Sequence, residues 1–95
     1  MDVTVTPRMW AAGSIPSVTV VDGPPGGRAL LHVDRHVVWT GVLDDDGQAA
    51  VPALRVLGLL RVGSYRLGVR VPAAWPQAAA RATVTVRVTD DGRAD

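Results

Sequence analysis

The chain has 95 residues, a formal net charge of +1, 47% hydrophobic and 20% charged residues, and no cysteine. That length holds one domain whose core buries roughly 60–65% of the unfolded surface, and the apolar fraction excludes a disordered chain. The missing cysteine excludes disulfides and thiolate chemistry, no apolar run reaches the roughly 18 residues of a membrane span, and the near-neutral balance gives no polyanion signal.

All the basic side chains are arginine; lysine, asparagine and phenylalanine are absent, and Ile15 is the only isoleucine. These missing types have AT-rich codons, which points to a high-GC source such as an actinobacterium or one of its phages. The start, Met1-Asp2-Val3-Thr4-Val5, has no basic or apolar leader pattern. The expectation is a protein that works where it is made or leaves the cell by assembly into something larger.

In chain order, residues 2–6 alternate, with Val3 and Val5 on one face, and Pro7 closes a predicted edge strand. Residues 8–13 read as an apolar link. Val18 and Val20 mark a second strand over 17–21, followed by the turn cluster Asp22-Gly23-Pro24-Pro25-Gly26-Gly27. Strands are predicted over 29–33 and 36–43, joined at Asp34-Arg35, and a short one over 48–51 after Asp44-Asp45-Asp46-Gly47. Residues 53–62 fit neither period; we expect a crossing segment with a partly helical or irregular start.

The clearest pattern is 63–71, where Tyr65, Leu67, Val69 and Val71 alternate with Ser64, Arg66, Gly68 and Arg70. One apolar and one basic face is the signature of a strand in a sheet buried on one side. Residues 82–88 repeat the rhythm and are expected to pair with it as a hairpin. The domain is assigned to 1–88 and a polar tail to 89–95. About seven short strands with turns at near-regular spacing predict an all-β antiparallel sandwich.

Val3-Thr4-Val5-Thr6-Pro7, Leu31-His32-Val33-Asp34, residues 41–47, Val62-Gly63-Ser64-Tyr65-Arg66-Leu67 and residues 82–86 together resemble a bacterial or phage immunoglobulin-like (Big-type) domain. The resemblance implies an Ig-like sandwich and places Tyr65 at the tyrosine-corner position, where the hydroxyl bonds backbone upstream. It lacks the cysteine pair of antibody domains, so Trp39 is not assigned as the tryptophan packed on that bridge.

No constellation for catalysis survives inspection. A turn at Asp34-Arg35 puts His32 and His36 on opposite sheet faces, which separates them as metal ligands. The triple aspartate lacks the downstream glutamate of a calcium loop and reads as a turn former, with Asp90-Asp91-Gly92 a second acidic cluster. Ser64 has no partnered His and Asp, and residues 23–27 lack the Lys-Ser/Thr of a phosphate loop. We therefore expect no enzyme activity, cofactor, metal or small-molecule substrate, and no nucleic-acid or membrane partner.

Two features suggest protein partners. Arg66, Arg70 and Arg87 are expected on one outward face, with Arg61 and Arg81 near its ends; the bland alternative is a solvated face that deters edge aggregation. Trp10 and Trp75, both read as loop residues at opposite ends of the domain, are either core caps or interface anchors. The functional expectation is a non-enzymatic accessory on the surface of a phage particle, contacting capsid or tail subunits in many copies. The alternative is a carbohydrate- or cell-surface-binding module of a larger secreted protein.

Overall fold

The computed structural model describes residues 1–75 and 77–90. Among them the chain forms β1 (Asp2–Thr6), β2 (Met9–Ala11), β3 (Ser17–Val21), β4 (Arg28–Val33), β5 (His36–Val42) and β6 (Ala49–Val51). One helical turn, α1 (Arg55–Gly58), then leads to β7 (Gly63–Val71) and β8 (Ala80–Thr89). The strands make a small sheet in the order β1-β3-β6 and a large one in the order β2-β8-β7-β4-β5, a sandwich-like all-β arrangement.

The period-two sequences determine which side chains meet between the layers. Val3, Val5, Val18 and Val20 of the small sheet join Leu31, Val33, Leu67, Val69, Val71, Val86 and Val88 of the large one in a single buried cluster. Trp10 of β2, Ala29 of β4, Leu43, just after β5, and Leu57 of α1 complete it. Each valine or leucine side chain among them contributes about 1.5–3 kcal/mol through burial. Nine residue pairs join β7 to β8, from Gly63↔Val88 to Val71↔Ala80, so this hairpin is the longest ladder.

One strand departs from the sequence reading. Met9–Ala11 is β2 and not a link, and it pairs parallel with β8, Trp10 opposite Val88. The chain runs along the small sheet as β1, passes the cis Thr6–Pro7 peptide, and joins the far edge of the large sheet. No tight turn joins β2 to β8, so their directions are free to match. Among the described residues the sheets therefore hold eight strands, one pairing of them parallel.

The turns follow their chemistry. Asp44 Oδ1 accepts from the backbone N–H groups of Asp46 and Gln48, both at 2.9 Å, so this carboxylate is held within its own turn. Gly47, at φ +74°, lies so close to the Gly23 carbonyl that a Cβ there would collide with it. In 53–62 a single helical turn is present: α1 buries Leu57 and seats Gly58 against Ile15 and the backbone of Gly13. The acidic cluster at 90–92 and the tail lie outside the described residues beyond Asp90.

Candidate functional site

The outer face of the large sheet carries the side chains that alternate with the core. Three cross-strand rows define it. Leu30 of β4 stands opposite Arg70 of β7, which stands opposite Arg81 of β8. His32, Gly68 and Thr83 make the second row. Asp34, just past β4, Arg66 and Thr85 make the third. Partners directly opposite are about 4.5–5.5 Å apart, so Arg70 and Arg81 are like-charged neighbours, a destabilising arrangement.

The middle row is low because Gly68 has no side chain. The His32 ring occupies that space: a Cβ added at Gly68 would come within 2.7 Å of His32 Cε1 and 2.9 Å of Thr83 Cγ2. His32 Nδ1 donates to the Asp34 carbonyl oxygen at 3.1 Å, which fixes the ring. Arg66 and Arg70 stand two residues to either side of Gly68, about 6.5–7 Å away along the strand. The outcome is an open hollow of about 340 Å³ whose lining includes Arg35, Arg66, Arg70 and Arg81.

Asp34 is the carboxylate of that lining, and one of its oxygens is held by backbone. Its Oδ1 accepts from Arg66 N–H at 2.9 Å, while its own N–H donates to the Arg66 carbonyl at 2.7 Å. Its φ is +52°, a left-handed conformation that Asp tolerates better than most residues. Asp34 thus turns the β4–β5 hairpin and ties its tip to β7. Arg35, the next residue, is carried to the rim of the basic face by that tie.

The structure redistributes the residues singled out in the sequence. Arg66 and Arg70 line the hollow. Arg87 shares their face, opposite Ser64, but lies six residues along β8 from Arg81, roughly 20 Å away. Trp75 is 96% exposed in the turn between Ala74 and Gln77, beyond the end of the β7–β8 hairpin. Trp10 requires a correction: it lies in β2 and is 4% exposed, so it is a core residue and presents no surface to a partner. Its Nε1 is buried without a hydrogen-bond partner among the described residues.

Arg35, His32 and Thr83 were not assigned to the basic face from the sequence. The available signal was the alternation of β4, which puts Leu30 and His32 on the side opposite Leu31 and Val33. The β4–β7 pairing that brings them to Arg66 and Arg70 spans more than thirty residues of sequence separation. His32 pairs with Val37 and His36 with Val33, so the two histidines belong to different faces. Among the described residues no group of three or more His, Cys, Asp or Glu is placed to hold a metal ion.

A second, apolar groove of about 440 Å³ lies on the other side of the β4–β5 tip, where Val38, Val56, Leu60 and Tyr65 meet. The Tyr65 hydroxyl donates to the Arg61 carbonyl oxygen at 2.7 Å, anchoring the segment between α1 and β7. Comparison of the chain with protein-family models, with curated proteins and with solved structures returned no match.

Proposed function

We propose that the chain is an Ig-like docking module that works by protein–protein contact and has no catalytic role. The strand orders support the Ig-like reading. The run β4-β7-β8 matches the C-F-G order of such a sandwich, β1-β3-β6 matches A-B-E, and β5 takes the place of an added C′ strand. The Tyr65–Arg61 hydrogen bond has the form of a tyrosine corner.

The observation that carries the docking reading is the outer face of the large sheet, where four arginines converge on one hollow while its carboxylate is held by backbone. Arginine lining a surface concavity suits bidentate contact with a partner's carboxylates. The narrower reading is an accessory protein on a phage particle, contacting capsid or tail subunits and stabilising the assembled state by mass action. It rests on the basic outer face of the large sheet and on the high-GC composition. Co-sedimentation of the purified chain with assembled particles of its source, against dissociated subunits, tests it. Saturable binding to particles is expected, and none at any concentration would sink the virion reading.

One observation favours a second reading. Trp75 stands almost wholly in solvent at a hairpin tip, where an indole stacks on a sugar face. A glycan array on which the chain binds and Trp75→Ala does not would favour a carbohydrate-binding module.

A further inference from the structure

We infer that the hollow centred on Gly68 is an anion-binding subsite that takes the aspartate or glutamate side chains of an extended acidic segment in a protein partner. The inference rests on the docking reading and names the chemistry of the contact. Its centre lies between Arg66 and Arg70, away from Arg87.

Three observations carry it. The first is charge: Arg35, Arg66, Arg70 and Arg81 line one hollow, and Asp34, the lining carboxylate, is engaged by Arg66 N–H. The second is local conflict. Arg70 and Arg81 are direct cross-strand partners, an arrangement that costs stability in the free protein and is relieved when an anion sits between them. The third is shape: with no side chain on Gly68, the His32 ring lies over it and lines the hollow together with Thr83, between the arginines of the two flanking rows. At about 340 Å³ the hollow is at the small end of ligand sites, a size suited to one or two side chains.

The same geometry disfavours a nucleic-acid strand. Single-strand binders combine a basic groove that tracks successive phosphates with aromatic rings on which bases stack. Here the cations converge on one place, no Trp or Tyr lines it, and apolar Leu30 and Val37 form part of the wall. A carboxylate reached by a short methylene stem fits that mixture: bidentate contact at the head and apolar contact along the stem.

The test uses the purified full chain, a synthetic aspartate-rich peptide, inorganic phosphate, and a single-stranded oligonucleotide, followed by backbone amide NMR at physiological salt. Saturable shifts from the peptide, centred on His32, Gly68, Arg70 and Thr83, are expected. The double variant Arg70→Gln with Arg81→Gln should weaken peptide binding about tenfold or more, the loss of one or two charge-assisted hydrogen bonds. Arg87→Gln, on the same face but outside the hollow, should stay within about twofold. Gly68→Ala offers a second readout, because its methyl displaces the His32 ring from the floor and should also weaken the peptide. An equal loss in Arg87→Gln, shifts spread evenly over the sheet, or phosphate or oligonucleotide binding as tight as the peptide would each overturn the assignment. These readings need no particle, so failed co-sedimentation removes the virion reading and leaves the subsite result standing.

Discussion

Leu67 and Val69 lie in one strand with Arg66, Gly68 and Arg70, and the two sets answer to opposite demands. The inner set is wholly buried and contributes to stability in proportion to the surface it removes from water. The outer set does the reverse: a glycine in mid-strand weakens the strand, and an arginine directly facing another arginine repels it. A face selected for stability alone would place β-branched residues and opposite charges there. The contrast separates residues that hold the fold from residues retained in spite of the fold, and the second kind are candidates for function.

Substitutions sharpen or break that contrast. The largest effect is expected from Trp10→Ala, which empties a core site and should cost about 3–5 kcal/mol by urea denaturation, whereas Trp75→Ala should stay within about 0.5 kcal/mol. A similar loss from both would contradict the placement of Trp10 in the core. Leu67→Ala should cost about 2–5 kcal/mol with an unchanged denaturant slope. Tyr65→Phe removes the bond to Arg61 and should cost about 0.5–1.5 kcal/mol, a fall of several degrees in Tm for a domain of this length. The smallest effect has the opposite sign. Arg70→Gln removes the repulsion from Arg81 and should raise stability by about 0.2–1 kcal/mol at low salt, less as salt is added. If Arg70→Gln instead destabilises the chain, the outer face belongs to the fold and the contrast fails.

How much of this was legible beforehand depended on the range of the interaction. The inner face of β7 could be read directly, because Tyr65, Leu67, Val69 and Val71 repeat with period two over seven residues. The hairpin with β8 followed from the same rhythm, and so did the shared face of Arg66, Arg70 and Arg87. Trp10 was misread because three residues are too few for a period to register, and because its partner strand lies more than seventy residues away. The hollow was legible only in part. Two of its arginines are on β7, but Arg35 and His32 reach it through the pairing of β4 with β7 and the Asp34–Arg66 tie, which no local pattern announces. The stretch 53–62 gave no period because its apolar residues serve different ends: Leu57 is buried in the core, while Leu59 is 79% exposed.

The unequal sheets also have a consequence in time. β7 is bonded along both edges, to β4 and to β8, whereas β5 ends the large sheet and is bonded along one. The three-residue β6 is likewise the last strand of the small sheet. Breathing therefore starts at the sheet edges, β5 and the three-residue β2 of the large sheet and β6 of the small one, and reaches β7 last, since each strand can leave only after its outer neighbour has gone. In deuterium exchange the amides of β5 that point away from β4 should label first, and those of Leu67 and Val69 only when the whole domain opens. The arginine hollow straddles both regimes: Arg66, Arg70 and Arg81 stand on the slow β7–β8 ladder, whereas Arg35 and Val37 belong to the β4–β5 tip and leave with the first openings, so one wall of the hollow holds its place while the other moves.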